Sequence, residues 1–296
     1  MPKLTLVFAV VLALIAGACG STTSTNSAPA SSTALTAADC AKTVTLKSPG
    51  TLTIGTDNPA YSPYFTGGAG HDWKGQFNND PYTGKGFEDA VAYAVAKQLG
   101  FDQSQVTWAV THFTQSYAPG PKNFDFYLAQ VSYNDKRAQT ADLSDSYYDV
   151  NQSLVALKSN DITKATTLDD LKGYKLGTQI GTTSYDLIVN LIQPDSQPSV
   201  YNTTNDAVHA LKAGQIDGLV VDLPTADYMT SVQIPGSTIV GQFQSNDNEH
   251  FSMVLPKNSP LTPCVNKAIQ ELRDDGTLDQ LTQTWLPVQS TAPVLQ

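Results

Sequence analysis

One arginine stands out on chemical grounds. The chain has 296 residues, a net charge of −10 and only two arginines, Arg137 and Arg273. Arg137 closes the stretch FDFYLAQVSYNDKR, in which an apolar strand-like run passes into a polar loop. A guanidinium at the carboxyl end of a buried strand can hold a carboxylate through two parallel N–H bonds. Other strand ends carry groups that complement it. Asp57 follows TLTIGT, with Tyr61 just beyond; Thr182 and Thr183 sit in GTQIGTTS at a helix start; Asp222 ends IDGLVVD. Gln130, Ser132 and Asn134 precede Arg137 in its own loop. A fixed cation, an aspartate that accepts from an ammonium, several hydroxyls and free N–H groups at a helix start together form a counterpart to a free α-amino acid.

Each group also has a plainer use. Asp57 can cap a turn, Asp222 can cap the helix beginning at Leu223, and GTTS can be an N-cap because Ser and Thr favour that position. Arg137 can be a solvated loop residue. Catalytic motifs are missing from the sequence. GTQIGTTS lacks the lysine of a phosphate-binding loop, and neither a GxSxG elbow nor a Cys–His pair occurs. His71, His112, His209 and His250 are scattered and there is no CxxC, so neither a metal site nor a cofactor is expected.

These residues need elements to position them. From residue 50 the chain alternates strand-like and helix-like segments. TLTIGTD, VTWAV and FDFYLAQVS read as strands. Phe87, Ala90, Val91, Ala94, Val95 and Leu99 recur at helical spacing in GFEDAVAYAVAKQLG, which Gly100 stops. A second set follows: YKLGTQIG, PSVYN and IDGLVVD as strands, with TTSYDLIVNLI, NDAVHALKAG and LPTADYMTS as helices. Thr167 to Asp170 has the spacing of a capping box. SMVLP reads as a strand, and two helices close the chain. Strands alternating with helices give α/β layers with largely parallel sheets, and two sets give two lobes. Ligands in such sheets lie beyond the carboxyl ends of the strands.

Composition agrees. Apolar residues make up 41 % and charged residues 15 %, with acids in excess, which argues against a nucleic-acid partner. The N-terminus reads MPKLTLVFAVVLALIAGACG: a lysine, an apolar run too short for a comfortable membrane span, then small residues. The small residues lead directly to Cys19, an arrangement that resembles the signal of bacterial lipoproteins. Residues 1–18 would be the signal peptide and Cys19 would be acylated. Residues 19–40, rich in Ser, Thr and Ala, would be the lipidated cysteine and a flexible tether. That leaves Cys40 and Cys264, an even pair in an oxidising compartment, expected to form a disulfide.

The stretches LTIGTDNPAYSPY, GFEDAVAYAVAKQLG, FDFYLAQVSYNDKRAQTADLSDSYY, YKLGTQIGTTSYD, AGQIDGLVVD and LRDDGTL, in this order and spacing, resemble the amino-acid-binding proteins of bacterial ABC importers. The resemblance spans about residues 50 to 286 and includes histidine- and glutamine-binding proteins. It implies a two-lobed, periplasmic-binding-protein-like α/β fold (type II) with two hinge crossovers. The first lobe would comprise residues 41–155 plus 252–296, and the second 156–251. It implies that Arg137 and Thr183 hold the α-carboxylate, that Ser132 and Gln130 add hydrogen bonds, and that Asp222 takes the α-ammonium. Asp57 and Tyr61 would face the side chain. Asn134 stands where the family usually has threonine, and residues 66–85 form an insertion beside the first site strand. The partners implied are a free L-amino acid and an ABC permease, for a monomer held to the outer face of the cell membrane by its lipid. A ligand-sensing lipoprotein that signals to a membrane receptor or kinase is a second reading. A dehydratase on the same fold is a third, remote because it needs a general acid. The only glutamates are Glu88, Glu249 and Glu271, and none follows a site strand.

Overall fold

The structure is a computed structural model that describes residues 35–68, 79–244, 249–287 and 290–296. The expected signal peptide, Cys19 and most of the expected tether lie outside the described residues. The tether was expected to extend to residue 40, but packed structure begins earlier. Residues Ala37–Ala41 form a short helix, α1, whose Ala37 and Ala41 are buried. Thr36 caps it, and the Ala37 N–H donates to Glu271 across the surface it packs on.

The first lobe is built on a sheet of β1 (Leu52–Thr56), β2 (Val106–Val110), β3 (Phe126–Tyr127), β4 (Asp142–Leu143) and β12 (Val254–Leu255). Their order is β2-β1-β3-β12-β4, with β1 parallel to β2 and β3, and β12 antiparallel to both its neighbours. Helix α2 (Phe87–Gln98) carries Glu88 and Asp89, both buried, in its first turn and Lys97 in its last. It buries Phe87, Val91 and Val95 against Ile54, Trp108 and Phe126. Helices α3 (Phe113–Ser116) and α4 (Asp135–Thr140) sit at the sheet's carboxyl end, and α8 (Thr262–Asp274) and α9 (Thr277–Trp285) complete the layer. Cys40 in α1 and Cys264 in α8 form the expected disulfide, with Cα atoms 5.4 Å apart.

The second lobe has the sheet order β10-β6-β9-β7-β8, from β6 (Gln152–Leu157), β7 (Leu176–Gln179), β8 (Ser199–Tyr201), β9 (Gly218–Asp222) and β10 (Ser237–Phe243). Helices α5 (Thr183–Leu187), α6 (Thr204–Lys212) and α7 (Leu223–Tyr228) flank it. Alternation along the strands splits its core over two faces. Leu154 and Val220 join Ile188 and Phe243 on one; Val155, Leu219 and Val221 join Leu211 and Met229 on the other. The predicted capping box forms, with Asp170 accepting from the Thr167 N–H at 2.9 Å and Thr167 accepting in return at 3.3 Å.

The lobes are linked through β5 (Tyr148–Asp149) and β11 (His250–Phe251), which pair antiparallel. Two boundaries differ from the sequence reading. All of β6 belongs to the second sheet, so the first crossing lies at Val150–Asn151, not after residue 155. The C-terminal tail, expected with the first lobe, ends on the second. Leu286 packs in the first lobe's core, whereas Val294 bridges Gln242 on β10 and Leu295 is buried in the second lobe's core. The chain therefore crosses a third time. Gly241 allows this seat: a Cβ there would stand 2.5 Å from Leu295 Cγ.

Candidate functional site

The carboxyl ends of β1, β7 and β9 face one another across a cavity between the lobes. Thr56, Asp57, Tyr61, Phe113, Ala129 and Gln130 line it from the first lobe. Thr178, Gln179, Thr182, Ser184, Asn205 and Asp222 are among those lining it from the second. Of the predicted site residues, Asp57, Tyr61, Gln130, Thr182 and Asp222 reach this wall. Ser132, Arg137 and Thr183 lie beside it, where the two lobes touch.

Arg137 is in the first turn of α4 and is 4 % exposed. Its guanidinium donates to the Ser132 carbonyl in its own lobe and, at 2.8 Å, to the Gly181 carbonyl of the other. It lies over the rings of Tyr117 (4.7 Å) and Phe113 (5.3 Å), so its flat faces are covered and its N–H edge is aimed along the lobe interface. The Tyr117 hydroxyl donates to the same Gly181 carbonyl at 3.1 Å. Gly181 has φ +76°, and a Cβ there would meet the Tyr117 hydroxyl at 2.7 Å, so the close approach requires glycine. Asn134 caps α4, its Oδ1 accepting from the Arg137 N–H at 2.8 Å; its contribution is to hold the Arg137 backbone.

Asp222 ends β9 directly opposite Gln152 on β6. Its side chain makes no capping bond to α7, so the plainer use is not realised. Instead Oδ1 accepts from the Gln152 amide at 2.6 Å. Burial and the nearby Glu249 charge raise its pKa well above the usual carboxylate range, opposed by the Gln152 bond and Arg137. Thr182 does cap α5, and its hydroxyl donates to the Gln179 carbonyl at 2.8 Å. The Thr183 hydroxyl lies 3.4 Å from Ser132 Oγ across the interface. Asp57 is partly committed to its own lobe: its carboxylate accepts from the Asn58 N–H (2.7 Å) and from the Phe113 N–H at the start of α3 (3.1 Å). Tyr61 donates to Gln233 of the other lobe at 2.5 Å and meets Tyr228 edge-on.

Gln130 lines the cavity, but its side-chain amide is turned inward. Its backbone is left-handed (φ +52°) and both its N–H and its amide donate to Glu88. The Tyr147 hydroxyl also donates to Glu88. Burial pushes this carboxyl up to about 7, against the pull of those hydrogen bonds. At the head of the cavity the Thr56 hydroxyl is fully buried without a hydrogen-bond partner. A buried hydroxyl left in that condition costs free energy unless a ligand completes it.

Sequence reasoning missed three groups. Gln152 looks like any polar residue ahead of an apolar run; only its register opposite Asp222 reveals it. Ser184 accompanies it, donating to its Oε1 at 2.6 Å. The third is Glu249, from the second crossover. Its carboxylate accepts from the Thr183 hydroxyl at 2.5 Å and from the Gln152 amide at 3.0 Å. Glu249 thus reaches the site from a crossover, not from the end of a site strand. The insertion at 66–85 is described only at its ends, where the Asn79 amide donates to the Ala60 carbonyl on the cavity wall at 2.7 Å.

The model of the bacterial extracellular solute-binding proteins, family 3, matches residues 72–288. The chain belongs to that family. This solute-binding protein is similar to a probable histidine-binding protein of Campylobacter jejuni, 29 % identical over 240 residues, covering 79 % of this chain and 84 % of the relative. It is similar to the L-cystine-binding protein TcyJ of Escherichia coli, 28 % identical over 247 residues, covering 81 % and 84 % respectively. Among solved structures, an ancestral arginine-binding protein bound to arginine superposes with a TM-score of 0.64 at 29 % identity, over 80 % of this chain and 98 % of that one. The two-lobed fold expected from the sequence is thus the family's fold, and these relatives are binding proteins by name. Among the described residues no helix is long and apolar enough to cross a membrane.

Proposed function

We propose that this solute-binding protein captures a free polar α-amino acid between its lobes and delivers it to the permease of an ABC importer, acting as a monomer anchored outside the membrane by lipid on Cys19. The observation that carries the reading is the placement of opposite charges on the two sides of the lobe interface. Arg137 is buried with its N–H edge free of any carboxylate within 4 Å among the described residues, and Asp222 faces the same cleft from the opposite lobe. A zwitterion that spans them satisfies both. Thr183 and Ser132 lie beside the anionic end. Asp57 and Tyr61 face the side chain, and no lysine or arginine is among the residues lining the cavity. Like charges repel strongly at low dielectric, so basic or amide side chains, or another polar one such as that of cystine, are favoured over acidic ones. The names of the relatives, which include histidine, cystine and arginine binders, support the same choice.

A thermal-shift screen against the common amino acids tests this. A ligand at 100 times its dissociation constant adds about 2.7 kcal/mol of stability. If none of them stabilises the protein, the reading fails. If glutamate displaces bound ligand better than glutamine, lysine, arginine or histidine, the role given to Asp57 fails.

A further inference from the structure

Glu249 enters the site from the hinge. Its backbone carbonyl accepts from the Val150 N–H at 2.9 Å, which joins the second crossover to the first. The next residue, His250, accepts from the Tyr133 N–H at 2.9 Å and stacks on the Tyr133 ring at 5.4 Å. The crossover is thereby tied to the loop that carries Ser132 and Arg137. From this position the Glu249 carboxylate holds the Thr183 hydroxyl, which itself lies 3.4 Å from Ser132 Oγ, and shares the Gln152 amide with Asp222.

We propose that Glu249 is a built-in competitor for the ligand's α-carboxylate. The inference rests on the functional reading above, which gives Thr183, Ser132 and Arg137 to that carboxylate. Thr183 has one hydroxyl proton, and Glu249 Oε1 takes it at 2.5 Å. A second carboxylate brought to the same hydroxyl would stand within a few ångströms of the first. Arg137 offsets one such charge, and at low dielectric a second beside it is disfavoured. Binding is then an exchange: the ligand's carboxylate takes the Thr183 hydroxyl and the Glu249 side chain swings off it. Because Glu249 sits on a crossover, the swing reports occupancy to the hinge that the lobes turn about. A competitor of this kind lowers affinity in a way that depends on the ligand having a carboxylate at its α-carbon.

That dependence is the test. Wild type, Glu249→Gln and Glu249→Ala are titrated by calorimetry with two pairs: arginine and its decarboxylated amine agmatine, histidine and histamine. If arginine and histidine both fail in the screen and another amino acid succeeds, that amino acid and its own amine replace them. Glu249→Ala is expected to bind the amino acid about tenfold tighter, from the repulsion removed, and Glu249→Gln is expected to shift in the same direction. Amine binding is expected to stay within about twofold, or to remain undetectable in all three proteins. A variant that binds the amino acid no tighter overturns the inference. So does a gain shared equally by the amine, and so does a loss for both, which would make Glu249 an acceptor for the α-ammonium. A wild type that binds no amino acid at all overturns the functional reading, and the inference falls with it.

Discussion

The two faces of the cleft are built on different principles. On the first lobe the polar groups are already committed. Arg137 is sandwiched by Tyr117 and Phe113, Gln130 is held by Glu88, and Asp57 accepts two backbone N–H groups. The lobe behind them is stapled by the Cys40–Cys264 disulfide. On the second lobe Asp222 is held by Gln152, and the other site groups are short hydroxyls and amides at strand ends and helix starts, of which Thr182, Thr183 and Asn205 are not fully buried. Its core is divided between two faces of the sheet, one of them completed by Leu295 from the tail. The contrast teaches that the first lobe presents a preorganised cation and the second an acid among small, partly exposed hydroxyls and amides. A receptor arranged this way keeps Arg137 in position whether or not the second lobe is against it.

The largest expected effect breaks the first face. Truncating one partner of a buried charge pair costs roughly 2–5 kcal/mol. At about 1.4 kcal/mol per decade, Arg137→Ala should weaken amino-acid binding between about 30-fold and several thousand-fold. Arg137→Lys should also bind poorly, since it keeps the charge but loses the planar fork and its stacking. On the second face, Thr183→Val removes one hydroxyl and should shift affinity by about tenfold at most, the usual range for a single hydrogen bond. Calorimetry on the three variants decides. Arg137→Ala within threefold of wild type, or a Thr183 effect larger than the arginine effect, would invert the comparison.

The staple gives the next effect. Replacing Cys264 by Ser opens a native disulfide, a change that typically costs about 2–5 kcal/mol. Because the bond joins α1 to α8 within one lobe, hydrogen exchange should speed up in α1, α2 and α8 while β7, β9 and α6 keep their protection. Equal loss across both lobes would show that they unfold as one unit and that the contrast in rigidity is not a property of separate lobes.

Much of this was legible in the sequence, and the failures share one cause. The order of strands and helices follows from apolar periodicity, and strand-end reasoning picked out Asp222, which lines the cavity, and Arg137, which lies at the lobe interface beside it. What strand ends do not carry is the partner of each side chain. Gln130 sits at a strand end yet turns inward, because a left-handed backbone residue and a buried Glu88 one helix away redirect it. Gln152 matters only through its register with Asp222. Glu249 is carried into the site by a crossover with no periodic pattern. The tail, too short for any periodicity, finds its place through one leucine and one glycine.

Glu88 sharpens the contrast through pH. Burial raises its pKa from 4.5 to about 7 in the folded protein. The folded state therefore holds a proton that the unfolded chain releases above pH 4.5. This contribution is complete below about pH 4.5 and is lost as pH rises through about 7, a change of up to about 3 kcal/mol. Asp227, raised to about 6, Asp89, raised to about 9, and Asp222, raised well above the usual carboxylate range, titrate alongside it, so wild type alone does not isolate Glu88. The difference between wild type and Glu88→Gln does. Denaturant unfolding at pH 5 and at pH 8 should show wild type losing more stability than the variant over that interval. Parallel losses would mean that Glu88 is ionised throughout and that its three donors outweigh its burial.

The smallest expected effect tests the second lobe's dependence on its tail. Leu295 is 3 % exposed and stands against Gly241, whose added Cβ would meet it at 2.5 Å. The tail is held beside β10 by the bond from the Gln242 N–H to the Pro293 carbonyl and the bond from the Leu295 N–H to the Gln242 carbonyl, each 2.9 Å. Leu295→Ala should cost about 2 kcal/mol, the low end for a buried leucine, because it packs from a segment seated on the edge strand β10, which can settle into the space. Gly241→Ala should cost about 1–3 kcal/mol by overpacking, since the leucine has to move. The two should not add. Once Leu295 is trimmed there is room for the new Cβ, so the double variant should be about 1 kcal/mol more stable than the sum of the single effects implies. Additivity within about 0.5 kcal/mol would show that the tail does not pack on Gly241, and the second lobe would then hold its core without help from the C-terminus.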